Sequence, residues 1–143
     1  MAMVEWDDAY SVDIQEIDEQ HKCLIEIMNE LYTALANKSN RDLVGDVLNK
    51  LVEYTKVHFA VEETLMRIFH YEGYEAHKEI HDRIVARVIE YQGKFRAGDD
   101  KVGMELLMYL KDWLFDHINK VDKAYTETFH KAGVKKSWVK KFW

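Results

Sequence analysis

Leu51-Val52-Glu53-Tyr54-Thr55-Lys56-Val57-His58-Phe59-Ala60-Val61-Glu62-Glu63-Thr64-Leu65 contains neither proline nor glycine. Within it Leu51, Thr55, His58, Glu62 and Leu65 recur at spacings of three and four, which puts them on one face of a helix. Val44 and Leu48 extend that face backwards, so one helix is predicted from about Arg41 to Ile68. The face destined for a core carries an imidazole and a carboxylate one turn apart, aimed at one place. That conflict between burial and charge organises the rest of the chain.

Three further segments repeat the pattern. The first runs from about Asp18 to Leu35 with Leu24, Ile27, Met28, Leu31 and Leu35 on one side. The third, about Glu75 to Arg96, aligns His77, His81, Ile84, Val88, Tyr91 and Phe95, and the fourth, about Lys101 to Lys131, aligns Leu106, Leu110, Trp113, His117 and Val121. Between them lie Asn37-Lys38-Ser39-Asn40, where Ser39 and Asp42 have capping-box spacing, the loop His70 to Tyr74, and Ala97-Gly98-Asp99-Asp100 with its candidate N-caps. Gly133 is placed to end the fourth helix. Short connections make neighbours antiparallel, so the expected fold is all-α, an up-down-up-down four-helix bundle in a single domain over 1–143. Residues 1–17 form an arm with Trp6 and Ile14 tucked against the bundle of 18–131. In the tail, 134–143, Val134, Trp138 and Phe142 share a helical face. A short helix folded back on the bundle is preferred there to contact with a membrane surface or a protein partner.

Composition narrows the function. With 48% hydrophobic and 32% charged residues, no proline and six glycines, the chain of 143 residues is a folded, helix-rich protein. A net charge of −6 argues against a nucleic-acid partner, which would require a clustered basic face. The single cysteine, Cys23, cannot form an internal disulfide and suits a reducing compartment. No apolar run reaches the roughly 18 residues of a membrane span, and Met1 to Tyr10 lacks the character of a secretory signal. A cytoplasmic location and a monomeric state are expected.

The remaining chemistry is histidine chemistry. His21 opens the first helix three residues before Leu24, His77 and His81 are one turn apart, and Asp122 follows His117 by five. A lone histidine on an apolar face needs only a hydrogen bond. Five histidines with Glu62 and Asp122 on inward faces are different, because each charged group buried unpaired costs several kcal/mol. A domain has only about 5–15 kcal/mol to lose. They require a shared partner of high positive charge. Five imidazoles give five metal bonds, two bridging carboxylates four, and one oxygen bridge two; two octahedral ions need twelve. The count leaves one position open, as binding a small gas demands. A single tetrahedral zinc would strand most of the set. Imidazole-rich ligation with carboxylate bridges suits iron or manganese, and imidazole favours iron. His77-Lys78-Glu79-Ile80-His81 is not the zinc-protease helix, since no glutamate follows its first histidine.

The order His21, then His58-Phe59-Ala60-Val61-Glu62, then His77-Lys78-Glu79-Ile80-His81, then His117-Ile118-Asn119-Lys120-Val121-Asp122 resembles the hemerythrin family. Trp6, Ile17-Asp18-Glu19-Gln20-His21-Lys22 and Glu62-Glu63 before Met66 are similar to its bacterial members, and the likeness covers Val4 to Tyr125. The resemblance implies two iron ions (Fe2+/Fe3+) with an oxo or hydroxo bridge. His77, His81 and His117 would hold one iron and His21 and His58 the other, with Glu62 and Asp122 bridging. It also implies reversible dioxygen binding at the second iron, in a carrier, store or delivery protein rather than an enzyme. Oxygen or redox sensing, and diiron oxidase or iron-donor activity, are the alternatives.

Residues one turn from these ligands are candidates to line an oxygen pocket: Ile25, Trp113, Leu114 and Ile118. Glu63, Gln20 and Asp18 are candidate partners for the imidazoles, and Tyr125 for the carboxylate bridge. His70 and His130 are read as solvent-facing and outside the ligand set. One difficulty is geometric. In a regular helix, position i+5 points about 140° away from i. A π-type irregularity is therefore predicted between Asp116 and Asp122.

Overall fold

The computed structural model describes residues 4–38 and 40–133, apart from the side chain of Val121. Its helices are α1 (Gln15–Ala36), α2 (Arg41–Ile68), α3 (Tyr74–Arg96), α4 (Val102–Asp116) and α5 (Lys123–Lys131), with a π-helical turn, His117–Asp122, joining α4 to α5. Counting α4, the π-turn and α5 as one rod, this is an antiparallel four-helix bundle. α1 packs on α2 and α4, and α3 packs on α2 and α4. No helix among the described residues is long and apolar enough to cross a membrane.

The ends follow local chemistry. Asn40 caps α2: its side chain accepts from Leu43 N–H at 2.8 Å. Ser39, with its capping-box spacing to Asp42, lies outside the described residues. α2 stops where His70 takes φ 53° and Tyr71 N–H reaches back to Met66 C=O at 2.9 Å. Gly98 (φ 110°) closes α3 in the same manner, with Asp99 N–H on Lys94 C=O at 3.1 Å. The N-cap position of α4 is Lys101, which offers no side-chain cap, although Asp99 Oδ1 accepts from its N–H at 3.1 Å.

α1 begins three residues earlier than its apolar stripe suggests. Ile14 and Ile17 are both fully buried, so the chain must already turn helical at Gln15 to bring both inward. The arm therefore ends at Ile14. Asn29 holds it by donating to Val4 C=O (2.8 Å) and accepting from Val4 N–H (3.0 Å). Asp18 accepts from Ser11 Oγ–H (2.5 Å) and Val12 N–H (2.9 Å). From the other side, Lys123 and Thr126 donate to Ala9 and Val12 C=O at 2.7 and 3.1 Å, and His130 Nε2 stands 3.3 Å from Asp13 C=O. The expected tail helix of 134–143 lies outside the described residues.

Candidate metal centre

Each helix of the bundle delivers part of one buried cluster. α1 supplies His21, α2 His58 and Glu62, α3 His77 and His81, and the π-turn His117 and Asp122. None of the seven is more than 3% exposed. They form two groups that share Asp122: His77, His81, His117 and Asp122, and His21, His58, Glu62 and Asp122.

In the first group the three Nε2 atoms stand 3.0 Å (His77 to His81), 3.1 Å (His77 to His117) and 3.1 Å (His81 to His117) apart. Three imidazoles so arranged cannot all donate to one another; their lone pairs converge on a common point. Donors at right angles on bonds of about 2.1 Å stand about 3.0 Å apart, whereas tetrahedral angles spread them to about 3.4 Å. The triangle has octahedral dimensions. Asp122 Oδ1 completes it, 2.8 Å from His117 Nε2 and 3.1 Å from His77 Nε2. The other oxygen, Oδ2, is turned to the second group, 3.3 Å from His21 Nε2. There His58 Nε2 approaches Glu62 Oε1 at 2.5 Å.

These approaches are not satisfied hydrogen bonds. His21 Nε2, His58 Nε2 and both oxygens of Glu62 and of Asp122 lack a hydrogen-bond partner of good geometry. Buried polar atoms left so would each cost on the order of 1–3 kcal/mol, and here they all point into the same space. The donor set fits two cations that share Asp122, with Glu62 beside the second.

The electrostatics agree. Burial pushes the Asp122 carboxyl up, but the imidazoles of His117, His21 and His77 outweigh it and hold the group well below the usual carboxylate range. Glu62 is likewise lowered, the raising effects of burial and Asp122 being overcome by His58 and His81. Burial lowers His81 to about 3, which keeps its imidazole neutral and its lone pair free for a metal. Burial and the charges of Glu62 and Asp122 drive Tyr125 well above the ordinary phenol range. Its hydroxyl faces Glu62 without closing a well-formed hydrogen bond.

A model of the hemerythrin HHE cation binding domain matches residues 12–128. The chain belongs to the hemerythrin family. It is 43% identical over 127 residues to a bacteriohemerythrin of Pseudomonas aeruginosa (strain LESB58), covering 89% of this chain and 82% of that one. It is 36% identical over 126 residues to the bacteriohemerythrin of Methylococcus capsulatus (strain ATCC 33009 / NCIMB 11132 / Bath), with 87% and 95% covered. A crystal structure of a hemerythrin carrying a leucine-to-tyrosine substitution superposes with a TM-score of 0.84 at 35% identity, covering 90% of this chain and 98% of that chain.

Around this hemerythrin-family cluster, the sequence candidates separate. Gln20 Oε1 lies 2.7 Å from His58 Nδ1, and Glu63 Oε2 lies 2.9 Å from His81 Nδ1. Asp18 is occupied instead with Ser11 and Val12 of the arm. Trp113 stacks on His117 (centroids 4.5 Å, 21°). With Leu114, Leu24 and Thr55 it lines a small apolar cavity of about 10 Å³, at the lower limit of what holds a single water. Leu24 is three residues after His21, Thr55 three before His58 and Leu114 three before His117, so the cavity lies one turn from three imidazoles. Ile25 and Ile118 are buried but are not among its lining residues.

Phe59 was not signalled as a site residue by its spacing, yet its ring lies flat on His81 (3.8 Å, 2°) and edge-on to Trp113 (5.3 Å, 66°). Its signal is position i+4 from Thr55, the neighbouring stripe of α2. Tyr71, edge-on to Tyr125 at 6.4 Å, is a loop residue without any periodic cue. His70 is exposed, whereas His130 is half-buried and engaged by the arm; neither belongs to the cluster.

Proposed function

We propose that this chain binds dioxygen reversibly at a carboxylate-bridged pair of iron ions, as an oxygen carrier, store or delivery protein. The observation that carries the reading is the sorting of seven buried donors into two groups, one with three imidazoles and one with two, that share Asp122 through its two oxygens. His77, His81 and His117 would hold one iron, His21 and His58 the other, with Glu62 and Asp122 across both. When bound, the irons supply the two electrons that dioxygen binding draws upon.

The chain's own residues do the rest. The group with only two imidazoles is the one where a small molecule can join, and two residues of the apolar cavity, Leu24 and Thr55, stand one turn from its histidines. Leu24 and Leu114 are each 3% exposed, which keeps water and its protons from the reduced site. Trp113 and Phe59 brace His117 and His81, and Gln20 and Glu63 fix which ring nitrogen of His58 and His81 faces inward.

The test is to load the protein with iron, reduce it, admit oxygen, and follow the visible spectrum through repeated purging. Repeated cycling is expected. Irreversible oxidation in the first cycle would point to sensing, and steady oxygen consumption to a diiron oxidase; either would overturn the carrier reading.

A further inference from the structure

His58 and His81 present their Nε2 atoms to the two halves of the cluster, and each has its outer nitrogen held by a side chain. The holders differ in charge. Gln20 offers His58 an amide oxygen at 2.7 Å, whereas Glu63 offers His81 a carboxylate oxygen at 2.9 Å. Nδ1 of His21 and of His77 has no such partner. Between the two halves, the difference visible at these nitrogens is therefore one carboxylate against one amide.

An imidazole whose N–H donates to a carboxylate gains basicity and becomes a stronger electron donor through its other nitrogen; an amide acceptor does this more weakly. We propose that Glu63 and Gln20 act as positioning residues that set the two iron sites at different reduction potentials, with the His77–His81–His117 site the harder to reduce. This rests on the diiron reading above. It means that a singly reduced protein would carry its ferrous ion in the His21–His58 half. Glu63 reaches the surface, its side chain 16% exposed with Lys78 Nζ 3.7 Å away, so the tuning carboxylate can be changed without opening the core.

The experiment has two arms. In metal-free protein labelled with 15N, His81 and His58 should each show a protonated Nδ1 in a hydrogen bond. Glu63→Gln should move the His81 signals toward those of His58, and Gln20→Glu should do the reverse at His58. Unmoved signals in both variants would overturn the proposal without reference to iron. In iron-loaded protein, each ferric ion takes one electron from an electrode mediator and no atom is transferred. Glu63→Gln should favour reduction of the harder site about tenfold, an upward shift of about 59 mV for one electron. Gln20→Glu should lower the easier site by a similar factor, so that the gap narrows in both variants while the mean moves in opposite directions. Two irons per chain with an unchanged gap, or both potentials moving equally, would refute the asymmetry. An unsubstituted protein that fails to hold two irons would instead refute the diiron reading and the inference with it.

Discussion

His117 Nε2 stands 2.8 Å from Asp122 Oδ1 although the two residues are five positions apart in one helical rod. An α-helix advances about 100° per residue, which would turn Asp122 about 140° from His117. The π-helical turn from His117 to Asp122 absorbs the extra residue and brings both side chains to one face. A conventional helix would have satisfied the backbone equally well, so the bulge is explained by the site it builds.

If the turn exists to absorb one extra residue, removing one residue should make it unnecessary. Asn119 is exposed and at the middle of the turn. Its deletion sets His117 and Asp122 four apart, on one face of a regular α-helix, and is expected to leave both helix content by far-UV circular dichroism and bound metal nearly intact. Loss of half or more of the metal with helix content unchanged would show that the turn does more than bring the two side chains to one face.

Much of this was legible in the sequence, for reasons that differ by residue. Both bounds of α2 coincide with expectation because Asn40 and the polar turn after Ile68 are local signals. The π-turn could be foreseen because His117 and Asp122 have a spacing no α-helix can reconcile. The choice among Asp18, Gln20 and Glu63 could not. All three lie within three residues of a cluster member, and only the path of the arm, which occupies Asp18, decides between them. The start of α1 at Gln15 is likewise set by the burial of Ile14 and Ile17 against distant helices, not by a local cap.

The metal-free protein should be acid-labile over a defined window. Burial lowers the folded His81 from its ordinary 6.5 to about 3. The unfolded chain thus takes up a proton below about pH 6.5 that the folded chain refuses until about pH 3, so stability falls with pH through that interval and levels off beneath it. At about 1.4 kcal/mol per unit, the loss between about pH 7.5 and 4.5 is roughly 3 kcal/mol. Asp122 and Glu62, held low in the fold, add a further loss only below about pH 4. Urea titrations of metal-free protein at the two pH values measure this, and His81→Leu should remove most of the slope. An equal slope in that variant would assign the window to other groups.

Leu114 lines the cavity one turn before His117 and is 3% exposed. Leu114→Asn places an amide in that apolar lining, which invites water at a cost of about 1–3 kcal/mol in stability. Faster oxidation to the ferric form is expected, severalfold by the visible spectrum, with iron content nearly unchanged. An unaltered oxidation rate would remove Leu114 from the excluding wall.

The arm makes a separate contribution that the cluster residues do not reveal. Asp18 accepts from Ser11 and Val12, while Lys123, Thr126 and His130 engage the arm from α5, so the arm ties the first turns of α1 to α5. Because α5 follows Asp122 directly, loosening this tie should be felt at the metal site as well as in global stability. Asp18→Ala leaves Ser11 and Val12 without a charged acceptor and is expected to cost about 1.5–3 kcal/mol. That corresponds to a melting point lower by several degrees in a domain of this size. Glu19→Ala, one residue on at an exposed position, is the control and should stay within about 0.5 kcal/mol. Thermal melts decide the first point, and the rate of iron loss to a chelator decides the second. Destabilisation without faster iron loss would mean that the arm stabilises the bundle but leaves the position of Asp122 untouched.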